Sequence, residues 1–243
     1  MTQKWFESWF DSPYYHILYK KRDDTEAKAF IDALLDNLKP DINARMLDLA
    51  CGKGRFSRYL ANKGYEVTGT DLSENSIEYA REYEEDKLSF FTQDMRKPFR
   101  INYFDYIFSF FTSFGYFETE KEDLSCLNSV AVGLKKGGIY VLDFFNSNYV
   151  IDNLISHEIK ELDGIQFEIK KSIDKSHVIK DISFTDNGSK HHYQEKVRLF
   201  FLDEFRALFE QVGLELIQVF GDYQLTKFDD YKSPRLIMIL QKI

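Results

Sequence analysis

The sequence predicts an α/β protein with a mostly parallel sheet of seven strands, helices on both faces of the sheet and a small antiparallel β insertion. Short apolar segments alternate with helical patterns between residues 44 and 145, as in stacked βαβ units. From residue 157 the hydrophobic period becomes two, and several strands follow one another without a helix between them. Hydrophobic residues make up 44% of the 243 residues, enough for one large core without disulfides or metals.

The first part of the chain contains five strands of the parallel sheet. They are predicted at residues 45–49, 66–70, 88–92, 106–110 and 139–144, with helices over 55–63, 74–85 and 121–134. Ser73 is the expected N-cap of the second helix, because its side-chain oxygen can accept a hydrogen bond from the first turn. The Gly137-Gly138 turn is expected to precede the fifth strand.

The antiparallel insertion is predicted over residues 157–200. Asp186-Asn187-Gly188 indicates a tight hairpin, since Asn and Gly tolerate the positive φ of a two-residue turn. The chain then returns to a helix over 203–212, which ends at Gly213. The last two strands are predicted at 215–221 and 236–242.

Charge and composition exclude several classes of function. A net charge of −8 and a pI near 5.2 disfavour a nucleic-acid partner, which would need clustered Lys and Arg. No apolar run approaches the ~20 residues of a membrane span and the N-terminus has no signal-peptide pattern, so neither a membrane partner nor export is expected. Cys51 and Cys126 show no pairing pattern, which indicates the cytoplasm. The five histidines have no metal-ligand spacing, and no metal is expected.

The stretch MLDLACGKGRFSRYL, residues 46–60, places a glycine turn between the first strand and the first helix. Open α/β sheets bind ligands at this turn, and dinucleotides and S-adenosylmethionine are the two classes that use it. A dinucleotide favours G-x-G-x-x-G, in which a third glycine packs the helix closely. Here Gly52 and Gly54 are followed by Ser57, so the turn suits a ligand without phosphates. An NAD-dependent oxidoreductase is therefore the less favoured interpretation.

The segment LDLACGKGRFSRYLANKGYEVTGTDLSENSIEYA resembles the first two motifs of the class I S-adenosylmethionine-dependent methyltransferases. FFTQDMRKPF, FDYIFSFFTSFGYF and LKKGGIYVLDFFN follow at the family's spacing. GDYQLTKFDDYKSPRLIMILQK is similar to the end of a bacterial branch that carries an antiparallel insertion before its last helix. The resemblance implies a Rossmann-like fold, S-adenosylmethionine as cofactor and S-adenosylhomocysteine as product. Ala50 stands at the first glycine of the motif, and Phe56 where some relatives have His.

Polar residues at the ends of the first three strands are the predicted cofactor contacts. Asp71, 19 positions after Gly52, can accept both ribose hydroxyls, although it could instead be an N-cap or a solvated acid. Asp94 suits the adenine amino group, with a plain turn residue as the alternative, and Asp48 suits the ligand's ammonium group. With the resemblance included, the predicted cofactor-binding residues are Asp48, Ala50, Gly52, Gly54, Asp71, Leu72, Asp94, Met95, Phe110, Tyr15, Tyr19 and Arg22.

The N-terminal segment WFESWFDSPYYHILYKKRDDTEA carries aromatic pairs at i, i+4, which could be core packing. The resemblance implies instead a helix that closes over the cofactor, with Tyr15, Tyr19 and Arg22 as contacts and Arg22 or Arg55 on the ligand's carboxylate. We thus expect three units: a helical lid over 1–40, a cofactor-binding domain over 41–150 and 201–243, and a substrate cover over 151–200.

The implied reaction is an in-line displacement at the sulfonium methyl group, which needs orientation and dehydration more than a nucleophilic residue. No catalytic residue is therefore assigned. The base-methylation motif N-P-P-Y is absent after the fourth strand, so we expect a small-molecule acceptor that is methylated on N or O. Tyr116, Asn146 and His192 are the predicted substrate contacts, with His192 or its neighbour His191 as a possible base.

Two further points stay open at this level. A cofactor-binding or regulatory protein without turnover is the alternative, because a fold does not fix a function. The protein could be a monomer or a homodimer.

Overall fold

A computed structural model describes residues 5–20 and 24–243 of the chain. The eight helices of this described part are α1 (Trp5–Phe10), α2 (Pro13–Leu18), α3 (Asp24–Leu38), α4 (Arg55–Asn62), α5 (Glu74–Arg81), α6 (Glu120–Gly133), α7 (Ser147–Asp152) and α8 (Leu202–Gln211). The strands are β1 (Arg45–Leu49), β2 (Glu66–Asp71), β3 (Leu88–Thr92), β4 (Phe104–Ser109), β5 (Leu134–Phe145), β6 (His157–Leu162), β7 (Ile165–Asp174), β8 (His177–Asp186), β9 (Ser189–Arg198), β10 (Leu214–Phe220) and β11 (Arg235–Lys242).

Seven strands form one sheet in the order β10-β11-β5-β4-β1-β2-β3. The pairs within β5-β4-β1-β2-β3 are all parallel, whereas β11 is antiparallel to both β5 and β10. The mostly parallel seven-stranded sheet predicted from the sequence is confirmed. Since the carboxyl ends of the five parallel strands meet at one edge, the residues that follow them are brought together there.

Both faces of this sheet are covered, so the central strands β1, β2 and β4 are largely buried. Leu47 faces the cluster that contains residues of α6 and α8, whereas its neighbour Met46 faces the cluster that contains residues of α3, α4 and α5. Phe30 of α3 is fully buried in the second cluster, and burial of such a side chain contributes about 2 kcal/mol. The helix α3 is therefore part of the sheet's core.

Two predicted boundaries were wrong, and each error has a local cause. The helix predicted over 74–85 ends at Arg81, because the following residues turn back into β3: the backbone N–H of Phe90 donates to Glu84 Oε1 over 2.7 Å. The predicted Gly137-Gly138 turn lies inside β5, which starts at Leu134. There the pairing with β4 shifts register, and Gly137 takes a positive φ of 77°.

The strands β6 to β9 form a separate antiparallel sheet of four strands, inserted between β5 and α8 as predicted. Asp186 pairs with Ser189 across Asn187 (φ 47°) and Gly188 (φ 77°), which confirms the two-residue hairpin. One face of this sheet is covered by α1 and α2. Its buried cluster consists of Trp9, Leu18, Ile165, Phe167, Ile169, Ile182 and Phe184.

The division into a lid, a cofactor-binding domain and a cover stays a prediction. The structure adds that α1 and α2 pack on the four-stranded sheet, whereas α3 packs on the seven-stranded sheet. Within the described ranges, no helix combines the length and apolarity needed to cross a bilayer.

Candidate active site

A cavity of about 1090 Å³ lies along the carboxyl edge of the parallel strands. One part of its wall comes from the segments that follow β1, β2, β3 and β4, and the other part from α1, α2 and β9. Residues that are distant in the sequence therefore face the same space. Its size is that of a site for a drug-sized ligand.

The turn between β1 and α4 forms one wall of the cavity. Ala50 and Gly52 line it, with positive φ values of 61° and 54°. A Cβ added to Gly52 would meet no atom within 4 Å, so the backbone there is open to a ligand. Gly54 has a different role. It does not line the cavity, and its added Cβ would lie 2.5 Å from the Phe90 ring, so this glycine allows α4 to pack closely on β3.

Asp71 lies at the end of β2 and lines the cavity. Its Oδ2 accepts a hydrogen bond from the Gly52 backbone N–H (2.7 Å) and its Oδ1 from the Ser73 N–H (2.9 Å). Burial raises the pKa of Asp71, and these backbone donors oppose the shift. Each carboxylate oxygen has a second lone pair, so the group can still accept two hydroxyls. Ser73 caps α5 as predicted, its hydroxyl accepting from the Ser76 N–H at 3.0 Å.

The segments after β2 and β3 bring Leu72, Asp94 and Met95 into the cavity wall. Leu72 is 40% exposed, which leaves its side chain available for contact with a flat ring. Asp94 is held by the Arg96 guanidinium, whose Nε donates at 3.0 and 3.1 Å and whose Nη2 donates at 2.8 Å. Burial acts to raise the pKa of Asp94, but the Arg96 donors outweigh it, and the pKa lies below its usual value. Asp94 is therefore a fixed anionic acceptor.

Asp48 is the most deeply buried acid of the cavity wall, at 1% exposure. Its Oδ2 accepts from the Ser57 hydroxyl at 2.6 Å, and the ion pairs formed by the described residues do not include it. Burial raises the pKa of Asp48 to about 7, against the hydrogen bonds of Ser57. Phe110 is also buried in this wall and packs on Phe56, with ring centroids 5.2 Å apart.

The N-terminal helices supply the opposite wall. Tyr15 and Tyr19 line the cavity, and the Tyr19 hydroxyl donates to Glu195 Oε1 at 2.7 Å. The predicted contact Arg22 lies outside the described residues. His16, which the sequence interpretation did not select, also lines the cavity. Burial, with the nearby Lys53 ammonium, lowers the pKa of His16 to about 4, so its imidazole is neutral at pH 7.

The three predicted substrate contacts separate in the structure. Tyr116 lines the cavity, and its hydroxyl donates to the Thr112 carbonyl. Asn146 is not part of the cavity wall. Its amide nitrogen donates to the Asp230 and Ser233 carbonyls, at 2.8 Å each, and its oxygen accepts from the Asn148 N–H, which caps α7. His192 lies outside the wall as well, with an exposed side chain 3.3 Å from Asp181.

Two ion pairs at the cavity were missed by the sequence interpretation. Asp143 of β5 is fully buried and accepts from Arg235 Nε (2.8 Å) and Nη2 (2.6 Å), while Arg235 lines the cavity. Glu195 of β9, also in the wall, lies 3.5 Å from the Lys180 ammonium. A signal for the first pair was present, since Asp143 and Arg235 are charges within the apolar segments YVLDFF and RLIMIL. A charge in such a segment indicates a buried partner.

No cluster of three or more His, Cys, Asp or Glu with metal-binding geometry occurs among residues 5–20 and 24–243. The two cysteines, Cys51 and Cys126, are buried and unbridged. Burial raises the pKa of both thiols, so neither has the character of a nucleophile.

Comparison with known proteins identifies the family. The family described as "Methyltransferase domain" matches residues 46–138. A protein of Bacillus subtilis described as "Putative methyltransferase YqeM" is 31% identical over 209 residues, which span 82% of this chain and 84% of that protein. The dTDP-3-amino-3,4,6-trideoxy-alpha-D-glucopyranose N,N-dimethyltransferase of Streptomyces venezuelae is 26% identical over 83% of this chain and 89% of its own.

A crystal structure of an S-adenosylmethionine-dependent methyltransferase from Clostridium acetobutylicum has the same fold. It superposes with a TM-score of 0.79, at 18% identity, and the match covers 94% of this chain and 96% of that one. With the sequence relationships and the sheet order, this similarity places the protein in the class I S-adenosylmethionine-dependent methyltransferase family, with S-adenosylmethionine as its cofactor.

Proposed function

We propose that this methyltransferase transfers the methyl group to a nitrogen or oxygen atom of a small molecule held in the cavity at the carboxyl edge of the sheet. The observation that carries the proposal is the meeting of Asp48, Gly52, Asp71 and Asp94 in one wall, opposite the aromatic side chains of α1 and α2. The first group offers the polar contacts that the cofactor needs. The second group would enclose both the cofactor and the acceptor.

The chain's own residues fit the cofactor. The open face of Gly52 allows a ligand to lie against the backbone, and Asp71 has lone pairs for two ribose hydroxyls. Leu72 and Met95 would contact the adenine ring. Asp94 would accept a hydrogen bond from the amino group of the adenine. Asp48, a buried acid hydrogen-bonded by Ser57, would receive the ammonium of the methionine part, which is the partner that a buried carboxylate requires.

Other residues of the wall complete the proposed cofactor site. Ala50 would support the approach of the backbone, and Phe110 would pack against the ligand from β4. Tyr15 and Tyr19 would close over it from α2, and Arg55, which also lines the cavity, would bind the carboxylate. Gly54 would contribute only through the packing of α4 on Phe90, because it does not face the cavity.

The acceptor would lie between α1, β9 and the loop after β4. Phe10, Tyr116, Phe145 and Val197 line this part, so an acceptor would be surrounded by apolar and aromatic surface. The amino-sugar N,N-dimethyltransferase of S. venezuelae supports a small molecule with an amino group as the first class to test. The acidic net charge of −8 argues against a nucleic acid.

S-adenosylmethionine supplies an activated methyl group that an acceptor atom can take by in-line displacement. The protein would orient the acceptor with the Tyr116 side of the cavity and exclude water with the aromatic residues of α1 and α2. Because His16 is neutral at pH 7, it would add no positive charge near the cofactor. No residue of the chain is assigned as a nucleophile.

The test has two steps. Calorimetry with S-adenosylmethionine, S-adenosylhomocysteine and NAD should give micromolar binding of the two sulfur ligands and none of NAD. Release of S-adenosylhomocysteine is then measured with a panel of amino sugars, other small amines and hydroxyl compounds. Turnover with a member of the panel would support the proposal. Tight cofactor binding with no turnover would favour a non-catalytic binding protein, and binding of NAD alone would refute the cofactor site.

A further inference from the structure

The N-terminal helices α1 and α2 are firmly attached to the four-stranded sheet. Trp9 has no exposed surface, its ring lies 4.4 Å from that of Tyr193, and its Nε1 donates to Glu195 at 2.7 Å. The Tyr14 ring packs on Phe184 at 4.6 Å. These helices and the insertion thus share one core, and together they face the cofactor side of the cavity.

A single carboxylate between α1 and α2 also joins these helices to the seven-stranded part. Asp11 Oδ1 accepts from the Ser73 hydroxyl at 2.6 Å, and its Oδ2 accepts from Asn75 Nδ2 at 2.7 Å. Both donors lie at the start of α5, where the positive end of the helix dipole favours an anion. Because both of its oxygens are engaged by charge-assisted hydrogen bonds, Asp11 holds α2 above the loop that follows β2.

The same loop contains Asp71, the residue proposed to bind the ribose. The Ser73 N–H donates to Asp71 Oδ1 at 2.9 Å, so Ser73 binds Asp71 through its backbone and Asp11 through its side chain. His16 and Tyr15, a few residues after Asp11, line the cavity opposite Asp71 and Leu72. A ligand bound to Asp71 therefore lies beneath α1 and α2. These helices are held in place by Ser73, which also donates a hydrogen bond to Asp71.

We propose that Asp11 is a positioning residue for S-adenosylmethionine, a clasp that keeps α1 and α2 closed over the bound cofactor. The proposal rests on the assignment of Asp71 to the ribose. With the clasp broken, the closed form of the cofactor complex is less favoured over its open form, so the apparent Kd rises. The ligand leaves faster because it no longer waits for two hydrogen bonds to break.

The experiment measures ligand exit directly. Both tryptophans of the chain, Trp5 and Trp9, lie in α1, so selectively excited tryptophan fluorescence reports on this helix and its surroundings. In stopped flow with S-adenosylhomocysteine, Asp11→Ala should raise the dissociation rate and the Kd about tenfold, with an association rate that does not fall. Asn75→Ala removes one of the two hydrogen bonds to Asp11 and leaves the Ser73 cap intact. It should therefore give a smaller increase in the dissociation rate.

The controls separate the clasp from the site. Asp36→Asn, an exposed carboxylate on α3, should behave as the parent protein. A dissociation rate of Asp11→Ala within twofold of the parent, with Asp71→Ala strongly weakened, would overturn the clasp and leave the ribose assignment standing. If Asp71→Ala also bound normally, that assignment and this proposal would both fail. A lower melting temperature of Asp11→Ala with an unchanged dissociation rate would show that Asp11 only stabilises the packing of the helices, and would overturn the clasp.

Discussion

The buried Asp48 gives a prediction about how cofactor affinity depends on pH. Burial raises the pKa of its carboxyl group to about 7, so about one molecule in eleven is ionised at pH 6 and about ten in eleven at pH 8. In the proposed site, the ammonium of the cofactor binds the ionised form of Asp48. The association constant should therefore rise about tenfold from pH 6 to pH 8 and level off above, and binding at pH 7 should release about half a proton.

Calorimetry with S-adenosylhomocysteine at both pH values, in buffers of different ionisation enthalpy, measures the affinity and the proton count together. Asp48→Asn should bind weakly and with no pH dependence. Asp123 is a matched control, because burial raises the pKa of this carboxyl to about 7 as well, yet it does not line the cavity. Asp123→Asn should keep the tenfold change. Equal affinity of the parent protein at pH 6 and pH 8 would refute the role of Asp48.

Three further substitutions test other parts of the structure. Asp71→Ala should weaken S-adenosylmethionine binding by about 2–4 kcal/mol in calorimetry, because two charge-assisted hydrogen bonds are lost. Circular dichroism should show an intact fold. An unchanged affinity would refute the assignment of Asp71 to the ribose. Ala50→Gly should stabilise the protein by up to about 1 kcal/mol in urea unfolding, because Ala50 has a φ of 61°, and a loss of stability would show that the left-handed strain is negligible. Arg235→Met should cost about 3–5 kcal/mol in the same assay, since it leaves Asp143 buried without its cation, and a neutral result would mean that Asp143 is protonated in the variant.

Local patterns predicted most of the sheet and selected the residues that are proposed to bind the cofactor. The strand 45–49, the hairpin at Asn187-Gly188 and the N-cap Ser73 depend on neighbouring residues, and the structure has each of them. Asp71 could be selected because its distance from Gly52 along the chain is fixed by one βαβ unit.

The rest of the cavity wall could not be predicted in the same way, because its residues meet only through the tertiary structure. His16, Glu195 and Arg235 come from α2, β9 and β11, and no local spacing relates them. Asn146 was chosen for its place after β5, but its amide is used by the loop before β11, 84 and 87 residues later. His192 could not be placed for a different reason. The alternation along a strand shows which residues share a face of the sheet, but it does not show which of the two faces other elements cover.

The loop after β4 shows how the distant residues shape the site. Phe111 and Thr112 line the cavity with successive positive φ values of 56° and 62°, which cost about 1–2 kcal/mol each for residues with a Cβ. The Phe111 N–H donates to Asp143 Oδ2 at 2.7 Å, and Arg235 Nη2 donates to Thr112 Oγ1 at 3.1 Å.

The Asp143–Arg235 ion pair thus offsets the strain of that loop, which gives a physical reason for a fully buried carboxylate in β5. Phe111 and Thr112 line the same cavity as Gly52 and Asp71, on the side proposed to hold the acceptor. The shape of the proposed acceptor pocket therefore depends on a carboxylate in β5 and a guanidinium in β11, and neither belongs to the proposed cofactor contacts.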